Sequence, residues 1–369
     1  MFIAILLYSV SMGIALAQEW ITMVVGTYTD GGSHGIYSFR FNQFTGESKL
    51  LDSLALRNPS YLTISSENQL VYEDIRVGSQ MLAVSETNDA NASLNVIALE
   101  KSGRMQLLSQ VPTWGEDPCY VSTNGRFVLT ANYSGGSMSA YSLSDHGKVT
   151  RPLCRFLGGT GGPDLSRQEV PHIHCAVFTP DGKYVLATDF SADRILSYYL
   201  DGGRIIANGV ASPVSPDSGP RHIVFSHDGR FAYLMSELSG KVTAFSYSDG
   251  RLTEIQSVAS DTIGARGGAD IHLSPDGRFL YSSNRLKAEG IAIFAVDSLT
   301  GMLTRVGYQP TKLHPRQFNI TPNGHYLLCA CRDDNAIQVF KCDPVSGLLS
   351  DIAHDIPVSR AVCVQFLER

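Results

Sequence analysis

Charged, amide and histidine side chains recur in this sequence at fixed distances from a repeated turn. The positions eight residues before successive turn glycines, with one matching position from a less regular segment, are His174, Arg221, Ala269, Arg316 and Ser60. The positions seven or eight residues after the glycines, again with one from the less regular segment, are Asn132, Asp189, Glu237, Arg285, Arg332 and Glu86. Guanidinium groups bind carboxylate or phosphate in a planar fork, and histidine and glutamate transfer protons. Brought together, these groups could bind a small anionic molecule and perform acid–base chemistry on it.

An internal repeat produces this spacing. The segment FTPDGKYVLAT, residues 178–188, has three further copies, and the central glycines of the four copies lie 47, 48 and 47 residues apart. An earlier copy surrounds Gly125, and a degenerate one surrounds Asn68. Each copy contains an apolar strand, an Asp-Gly or Asn-Gly turn that readily adopts positive φ, and a strand rich in aromatic and β-branched residues. A third apolar strand and a short fourth strand follow each of these hairpins.

Four strands in a period of this length are typical of one blade of a β-propeller, and residues 18–369 would supply seven blades. We predict an all-β, seven-bladed β-propeller with four antiparallel strands per blade. Residues 22–28 should pair with residues 361–367 and so close the ring. The charged fraction of 17% and the 34 glycines agree with a chain of strands and turns. Because innermost strands line the axial channel of a propeller, the repeated positions should meet at one mouth of that channel.

The ends and the overall charge of the chain bear on its location and partners. Residues 1–17 (MFIAILLYSVSMGIALA) carry no charged side chain and end in Ala-x-Ala, as a cleavable secretory signal does. We expect an exported protein, periplasmic or extracellular, with residues 18–369 as a single domain; without a functional signal it would be cytoplasmic. The net charge of −6 predicts no nucleic-acid partner. We also expect no stable membrane insertion after signal cleavage, and a monomer or weak dimer.

Neither cysteines nor histidines point to a metal or another cofactor. The seven cysteines are odd in number and lack a Cys-x-x-Cys pair, which fits neither a zinc site nor a dense disulfide framework. His172 and His174 share one face of a strand, but a metal site would need a third ligand in register. We therefore expect no metal and no cofactor. The plainer alternative is an ordinary hydrogen-bonded core role for each histidine, and for each arginine an ion pair with Glu237 or Asp189 that joins blades.

Longer motifs resemble a known family. They are HIHCAVFTPDGKYVLATDFSADRI (172–195), GPRHIVFSHDGRFAYLMSE (219–237), DIHLSPDGRFLYSSNR (270–285) and HPRQFNITPNGHYLLCAC (314–331). With VGTYTDGG, NPSYLTIS and TANYSGGSMSAYSL, they are similar to the seven-bladed lactonase family. That family includes propeller-type 6-phosphogluconolactonases and fungal enzymes that lactonise carboxymuconate. The resemblance covers nearly all of residues 18–369.

The resemblance implies a catalytic role at the channel mouth for the residues that match a histidine, two arginines and a glutamate of the family: His174, Arg221, Arg285 and Glu237. The residues expected to bind substrate around them are His172, Arg316, Asp189, Asn132 and Glu86. The chain departs from the family in two places. Tyr120 stands where relatives usually have histidine, and we expect it to alter substrate contacts. Residues 71–81 (VYEDIRVGSQM) look like an insertion into the second blade, and we expect them to add a rim loop.

The leading hypothesis is hydrolysis of a sugar-acid lactone resembling the 6-phosphogluconolactonase reaction. Arg221, Arg285 and Arg316 would bind an anionic substrate and the developing oxyanion. Glu237 or His174 would take a proton from the attacking water. Two alternatives stay open: a lyase or cycloisomerase that closes a lactone from an unsaturated diacid, and a non-catalytic exported propeller that binds a ligand. Export would favour an unphosphorylated lactone over a phosphorylated one.

Overall fold

A ring of seven sheets forms the body of the protein. The computed structural model describes residues 19–72, 75–144 and 146–367, with residues 66–72 and 75–77 described by their backbone alone. The predicted signal segment, residues 1–17, lies outside the described residues. The innermost strand of each sheet contacts those of its two neighbours, and the last sheet contacts the first. The predicted seven-bladed β-propeller is therefore confirmed.

The blades follow one another along the chain, and each is built from consecutive strands. Blade 1 contains β1 Trp20–Thr27, β2 Gly35–Asn42 and β3 Ser48–Ala55. Blade 2 contains β4 Leu62–Tyr72, β5 Ile75–Ser85, β6 Ser93–Leu99 and β7 Met105–Pro112. Blade 3 contains β8 Pro118–Thr123, β9 Phe127–Asn132, β10 Ser137–Ser142 and β11 Cys154–Leu157. Blade 4 contains β12 Ile173–Phe178, β13 Tyr184–Asp189, β14 Arg194–Asp201 and β15 Arg204–Pro213.

The remaining blades repeat this pattern. Blade 5 contains β16 Pro220–Phe225, β17 Phe231–Ser236, β18 Lys241–Ser248 and β19 Arg251–Ala259. Blade 6 contains β20 Gly268–Leu273, β21 Phe279–Asn284, β22 Gly290–Val296 and β23 Leu303–Pro310. Blade 7 contains β24 Pro315–Ile320, β25 Tyr326–Cys331, β26 Ala336–Cys342, β27 Leu349–Asp351 and the short β28 Ile356–Pro357. The last strand, β29 Ala361–Phe366, joins blade 1.

In the part of the chain that the structure describes, helical structure is confined to connections. The α-helix α1 spans Leu165–Gln168, and 3₁₀ turns span Phe190–Ala192 and Arg332–Asp334. Among the described residues, no helix is long and apolar enough to cross a membrane.

The two ends of the chain close the ring as predicted. Strand β29 pairs antiparallel with β1, so that Val24 lies opposite Gln365 and Val25 opposite Val364. The backbone N–H of Leu367 donates to the carbonyl of Thr22 at 2.9 Å. The C-terminal strand thereby becomes the innermost strand of blade 1, and the pairing removes an open sheet edge.

The repeated turn joins the two innermost strands of a blade. In blade 4, Thr179 Oγ1 donates to Asp181 at 2.6 Å and accepts from the backbone N–H of Tyr184 at 3.0 Å. Gly182 has a φ of 68°, a conformation that residues with a Cβ rarely adopt. We call the end of the channel at which the innermost strands begin the mouth. The repeated turns therefore lie at the opposite end of the channel.

The insertion at residues 71–81 lies in the innermost hairpin of blade 2. Strands β4 and β5 have 11 residues each, whereas the matching strands of blades 3 to 7 have 6 residues each. Because the hairpin turn is at the end opposite the mouth, the added residues extend blade 2 away from the mouth. The expectation of an added rim loop was wrong: the insertion lengthens two paired strands.

Apolar side chains fill the spaces between neighbouring blades. Between blades 5 and 6, for example, Tyr233 and Met235 pack in one cluster with Ile271 and Phe294. Each buried side chain of this size contributes about 1.5–3 kcal/mol of stability relative to an exposed one. These contacts fix the angle between blades and with it the width of the channel that the blades surround.

A β-bulge occurs at the second residue of the innermost strand in most blades. In blades 3, 4, 5 and 7 the pairing skips one residue, which is Cys119, His174, Arg221 and Arg316 in turn. In blade 6 it skips Ala269 and Asp270, and in blade 1 it skips Val362. A bulge leaves a residue out of the ladder and turns its side chain. The bulges therefore select which side chains the blades present near the mouth.

Candidate active site at the channel mouth

Seven side chains surround the mouth, one from each blade. Each directly follows the last residue of a blade's second strand, and together they form what we call the mouth ring: Tyr28, Glu86, Tyr133, Phe190, Glu237, Arg285 and Arg332. The bulge residues contact this ring. Arg221 forms an ion pair with Glu237, and Arg316 forms one with Glu86. The site is thus assembled from strand ends of several blades.

Glu237 is the anion at the centre of one half of the mouth. Its Oε2 lies 3.0 Å from Arg221 Nε and 2.8 Å from Arg285 Nη2, and its Oε1 lies 2.7 Å from Arg167 Nη2. Burial alone would raise the pKa of Glu237, but the three guanidinium groups outweigh it and hold that pKa well below its usual range. Glu237 is therefore ionised, and it is a weak proton acceptor.

Arg221 and Arg285 direct most of their N–H donors to other groups of the protein. Arg221 Nη1 donates to the carbonyl of Ala269 at 2.6 Å, and Arg285 donates to the carbonyls of Gly267 and Gly268, each at 3.1 Å. Burial lowers the pKa of Arg285 to about 10, with Glu237 opposing the decrease. These two arginines hold blades 5 and 6 together and anchor Glu237, which matches the plainer alternative considered above.

The other half of the mouth contains Tyr28, Glu86 and Arg316. The hydroxyl of Tyr28 donates to Glu86 Oε1 at 2.8 Å. Arg316 lies over the Tyr28 ring at 5.2 Å, and its Nη2 is 3.6 Å from Glu86 Oε1, too long for a hydrogen bond. Among the described residues, none accepts a hydrogen bond from the Arg316 guanidinium. Burial disfavours its charge, but Tyr28 and Glu86 outweigh burial and raise its pKa above the usual value.

His174 lies between the two halves. Its Nδ1 is 3.7 Å from Cys119 Sγ, and its ring meets the rings of Tyr133 and His222 edge to face. Burial, followed by the charges of Arg221 and other neighbours, lowers the pKa of His174 well below its ordinary value. The imidazole is therefore neutral at pH 7 and can accept a proton.

His172 reaches the same tyrosine as His174, in line with the expectation that both imidazoles share one face. Its ring stacks on Tyr133 with centroids 4.0 Å apart, and its Nδ1 lies 2.8 Å from the Tyr133 carbonyl. Since a carbonyl only accepts, Nδ1 carries the proton. The remaining nitrogen, Nε2, is then an acceptor.

Asn132 and Asp189 are not brought to the mouth. Asn132 donates to Ser137 Oγ and Ser139 Oγ within blade 3, at 3.1 and 3.0 Å. Asp189 pairs with Arg194 Nε at 2.8 Å within blade 4. Both are the last residue of a strand, seven positions after the turn glycine. Because successive strand residues point to opposite faces, it is the next residue, eight positions after the glycine, that faces the channel. Treating the two positions as equivalent was wrong.

Five site residues were missed by sequence reasoning: Tyr28, Tyr133, Phe190, Arg167 and Cys119. Tyr133 and Phe190 are mouth-ring residues that the alternation of strand side chains could have identified. Arg167 lies on α1, between blades 3 and 4 and outside the repeat, so no count from a turn glycine reaches it. Cys119 was also missed, because the turn of blade 3 is shorter and its bulge residue lies six rather than eight residues before Gly125.

A second layer of side chains, containing two tyrosines, a histidine and an aspartate, lies beneath the mouth. Tyr120 stacks on Tyr61 at 4.3 Å and meets the His222 ring at 5.2 Å. His222 Nε2 lies 3.4 Å from Arg221 Nη1, and since arginine only donates, His222 Nδ1 carries the proton. That proton is donated to Asp270 at 2.7 Å. Tyr120 thus contacts His222, which in turn contacts the mouth residue Arg221.

The chain contains one Gly-x-Ser-x-Gly pattern, residues 31–35 (GGSHG). It connects β1 to β2, whereas the serine of a nucleophile elbow joins a strand to a helix. Ser33 Oγ lies 2.6 Å from Thr27 Oγ1, within hydrogen-bonding distance, and the residue is buried. Its surroundings are those of a structural serine.

Comparison with known proteins agrees with this fold and site. The family model described as "Lactonase, 7-bladed beta-propeller" matches residues 22–366. The chain belongs to this lactonase family. The predicted lactone hydrolase is thereby confirmed at the level of the family, and the resemblance found in the sequence is correct.

Individual relatives of this lactonase cover nearly its whole length. The 6-phosphogluconolactonase of Bacillus subtilis (strain 168) is 34% identical over 356 residues, which cover 94% of this chain and 98% of that one. A solved structure from Bacteroides uniformis is 56% identical, with a TM-score of 0.89 and coverage of 95% and 100%. The periplasmic gluconolactonase of Pseudomonas aeruginosa is 32% identical, with a TM-score of 0.85 and coverage of 95% and 99%.

Proposed function

We propose that this lactonase opens the lactone of a sugar acid by water attack at the channel mouth, with Arg316 as the group that polarises the lactone carbonyl. One observation carries the proposal. The Arg316 guanidinium is largely buried, is held in its charged form by its neighbours, and has no hydrogen-bond acceptor among the described residues. The names of the relatives in Bacillus subtilis and Pseudomonas aeruginosa, a 6-phosphogluconolactonase and a gluconolactonase, support this substrate class.

Positive charge placed in advance at the carbonyl oxygen lowers the barrier to acyl transfer. Water attack on a lactone turns that oxygen into an oxyanion, and a preorganised donor in a dry site stabilises it strongly. No described residue accepts a hydrogen bond from Arg316, so all its N–H donors are open to this oxygen, whereas Arg221 and Arg285 direct most of theirs to Glu237 and to other groups of the protein. Arg221 and Arg316 occupy the same position before their turn glycines, yet only Arg316 is proposed to contact the carbonyl oxygen.

His174 is the proposed acceptor of the proton from the attacking water. Its imidazole is neutral at pH 7, whereas the carboxylate of Glu237 is stabilised by three guanidinium groups. Arg221 and Arg316 both lower the pKa of His174. An anionic substrate near them would offset their charge and so make His174 a better base. His174 could return the proton to the ring oxygen as the lactone opens.

We also propose that the protein is exported, with residues 1–17 as its signal. The apolar stretch before Ala-x-Ala supports this, and the relative in Pseudomonas aeruginosa is described as periplasmic. Finding the mature chain to begin near residue 18 in a periplasmic or secreted fraction would support export, and an intact N-terminus in the cytoplasm would contradict it.

The catalytic proposal is tested with a panel of lactones. Residues 18–369 should hydrolyse glucono-δ-lactone or 6-phosphoglucono-δ-lactone faster than the spontaneous reaction, measured as acid release. Arg316→Ala should lower kcat/KM by about 100-fold. Arg316→Lys should lower kcat/KM by a smaller factor, because it keeps the positive charge. Arg204→Ala, which changes an exposed arginine of blade 4, serves as the control. Wild-type-like kcat/KM in folded Arg316→Ala would refute the role of Arg316. Activity only on unsaturated diacids would favour a cycloisomerase instead.

A further inference from the structure

Arg167 extends over one side of the mouth. Its guanidinium lies 5.3 Å from the centre of the Phe190 ring. Its Nη2 donates to Tyr133 Oη at 3.3 Å and to Glu237 Oε1 at 2.7 Å. These three partners are consecutive members of the mouth ring, contributed by blades 3, 4 and 5. Arg167 therefore occupies a defined position at the entrance and touches the same carboxylate as the buried arginines.

The backbone that carries Arg167 is anchored on both sides. The neighbouring Gln168 is buried and donates to the carbonyl of Phe190 at 3.0 Å. Asp164, at the start of α1, forms an ion pair with Arg266 at 2.6 Å, and Arg266 also pairs with Asp217 at 2.7 Å. These contacts tie the connection between blades 3 and 4 to the connections that lead into blades 5 and 6. The backbone position of Arg167 is consequently set by the fold.

Arg167 differs from the other arginines around Glu237 in its exposure and in its free donors. Its side chain is 37% exposed, against 2% for Arg221 and 8% for Arg285. Guanidinium has five N–H groups, and both hydrogen bonds of Arg167 to described residues come from Nη2. The Nε–H and the two Nη1–H groups have no acceptor among those residues. Arg167 can therefore bind a second anion without first releasing Glu237.

The charge balance at the mouth favours an anionic ligand. Arg332 of the mouth ring is neutralised by Asp333, and Arg167, Arg221, Arg285 and Arg316 face two carboxylates, those of Glu237 and Glu86. The two histidines of the mouth have lowered pKa values and add no charge at pH 7. An excess of two positive charges remains, and the lactone group itself is neutral. A substrate that carries a separate anionic group would balance this excess better than a neutral sugar lactone.

We propose that Arg167 recognises an anionic group that the substrate carries away from its lactone ring, either a carboxylate or a phosphate. The proposal rests on the lactone hydrolysis proposed above. The lactone carbonyl would lie at Arg316, and the separate anion would lie at Arg167. A lactone of a sugar diacid and a phosphorylated sugar lactone share this chemistry, whereas plain glucono-δ-lactone lacks it.

Kinetics on three lactones test the proposal. The substrates are glucono-δ-lactone, a glucaro-lactone with its free carboxylate, and 6-phosphoglucono-δ-lactone. Arg167→Gln should lower kcat/KM about tenfold or more for whichever anionic lactone the enzyme prefers, mainly through KM. It should change kcat/KM for the neutral lactone less than about threefold, because no charge-assisted hydrogen bond to the substrate is lost. Arg167→Lys should recover part of the loss. The lactone whose kcat/KM falls most in Arg167→Gln shows whether Arg167 recognises phosphate or carboxylate.

The control is Arg194→Gln. Arg194 has nearly the same side-chain exposure, 35%, and also pairs with a buried carboxylate, that of Asp189, but it lies away from the mouth ring. The Arg194→Gln variant should have the wild-type kcat/KM for all three lactones. Equal losses of Arg167→Gln on the neutral and anionic lactones would overturn the proposal, because Arg167 would then act only through Glu237. No loss on any anionic lactone would overturn it as well.

A binding measurement separates this proposal from the proposed function. Isothermal titration with 6-phosphogluconate, glucarate and gluconate needs no turnover. Wild-type protein should bind one of the two extended anions more tightly than gluconate, and Arg167→Gln should remove that preference. If the preference holds while no lactone is hydrolysed, anion recognition stands and lactone hydrolysis fails. If gluconate binds as tightly as both extended anions, anion recognition fails whatever the hydrolytic activity.

Discussion

Replacing Glu237 by glutamine should destabilise the propeller markedly at neutral pH. The variant keeps the size of the side chain but removes the anion that Arg221 and Arg285 face in a buried position. Leaving buried charges without their partner costs about 3–5 kcal/mol. The exposed Arg167 adds little to this cost, since water can solvate it. An unfolding entropy of about 2.1 cal/mol/K per residue makes this a decrease in Tm of about 4–7 °C for a chain of this length.

The pH dependence of the Tm difference between wild type and Glu237→Gln supplies a second test. The folded pKa of Glu237 is depressed, so its stabilising contribution is fully present above the unfolded pKa of about 4.3. That contribution is lost as the pH falls below this value towards the folded pKa. The Tm difference between wild type and Glu237→Gln should therefore be constant from pH 5 to pH 7 and should shrink below about pH 4.

The assay is thermal unfolding followed by circular dichroism over this pH range. Glu254→Gln changes an exposed glutamate of the same blade and should leave Tm within about 1 °C of wild type. Glu237→Gln with an unchanged Tm at pH 7 would refute the view that Glu237 anchors buried arginines. A difference that grows on acidification would refute the depressed pKa.

Two further variants test the placement of side chains around the mouth. Asn132→Ala removes the donor to Ser137 and Ser139 inside blade 3 and should lower stability by about 1–3 kcal/mol, with KM and kcat unchanged; a specific rise in KM would instead place Asn132 at the substrate. Asp270→Asn removes the buried anion that accepts from His222 and should cost about 2–3 kcal/mol in urea unfolding. Wild-type stability of that variant would show that His222 does not depend on this carboxylate.

The repeat made most of the fold predictable. Turn glycines at near-constant spacing identified the innermost hairpins, because the positive φ of such a turn and the hydrogen bonds of the preceding Ser or Thr are local properties. The number of blades and the pairing of the terminal strands followed from the length of the chain. The position of the insertion in blade 2 was also visible, but its direction became clear only from the end of the channel at which the hairpin turns lie.

The candidate site was predictable in part. Counting from the turns found Arg316, Glu86, Glu237 and His174, because equivalent positions of a repeat lie at equivalent heights in the ring. The same counting mistook Asn132 for a channel residue, because one residue of difference reverses the direction of a strand side chain. Bulges add to this difficulty, since an extra residue shifts the alternation without a clear sequence signal.

The sequence by itself determined the blades, the closure of the ring and the set of charged residues that could meet at its mouth, because these depend on local turns and on a regular period. Only the tertiary structure decided what those residues do. Arg221 occupies the same position before its turn glycine as Arg316, yet Glu237 and the Ala269 carbonyl accept hydrogen bonds from Arg221, while no described residue accepts one from Arg316. Arg167 joins them from outside the repeat. Availability for a substrate depends on all neighbouring acceptors, and these come from blades far apart in the chain.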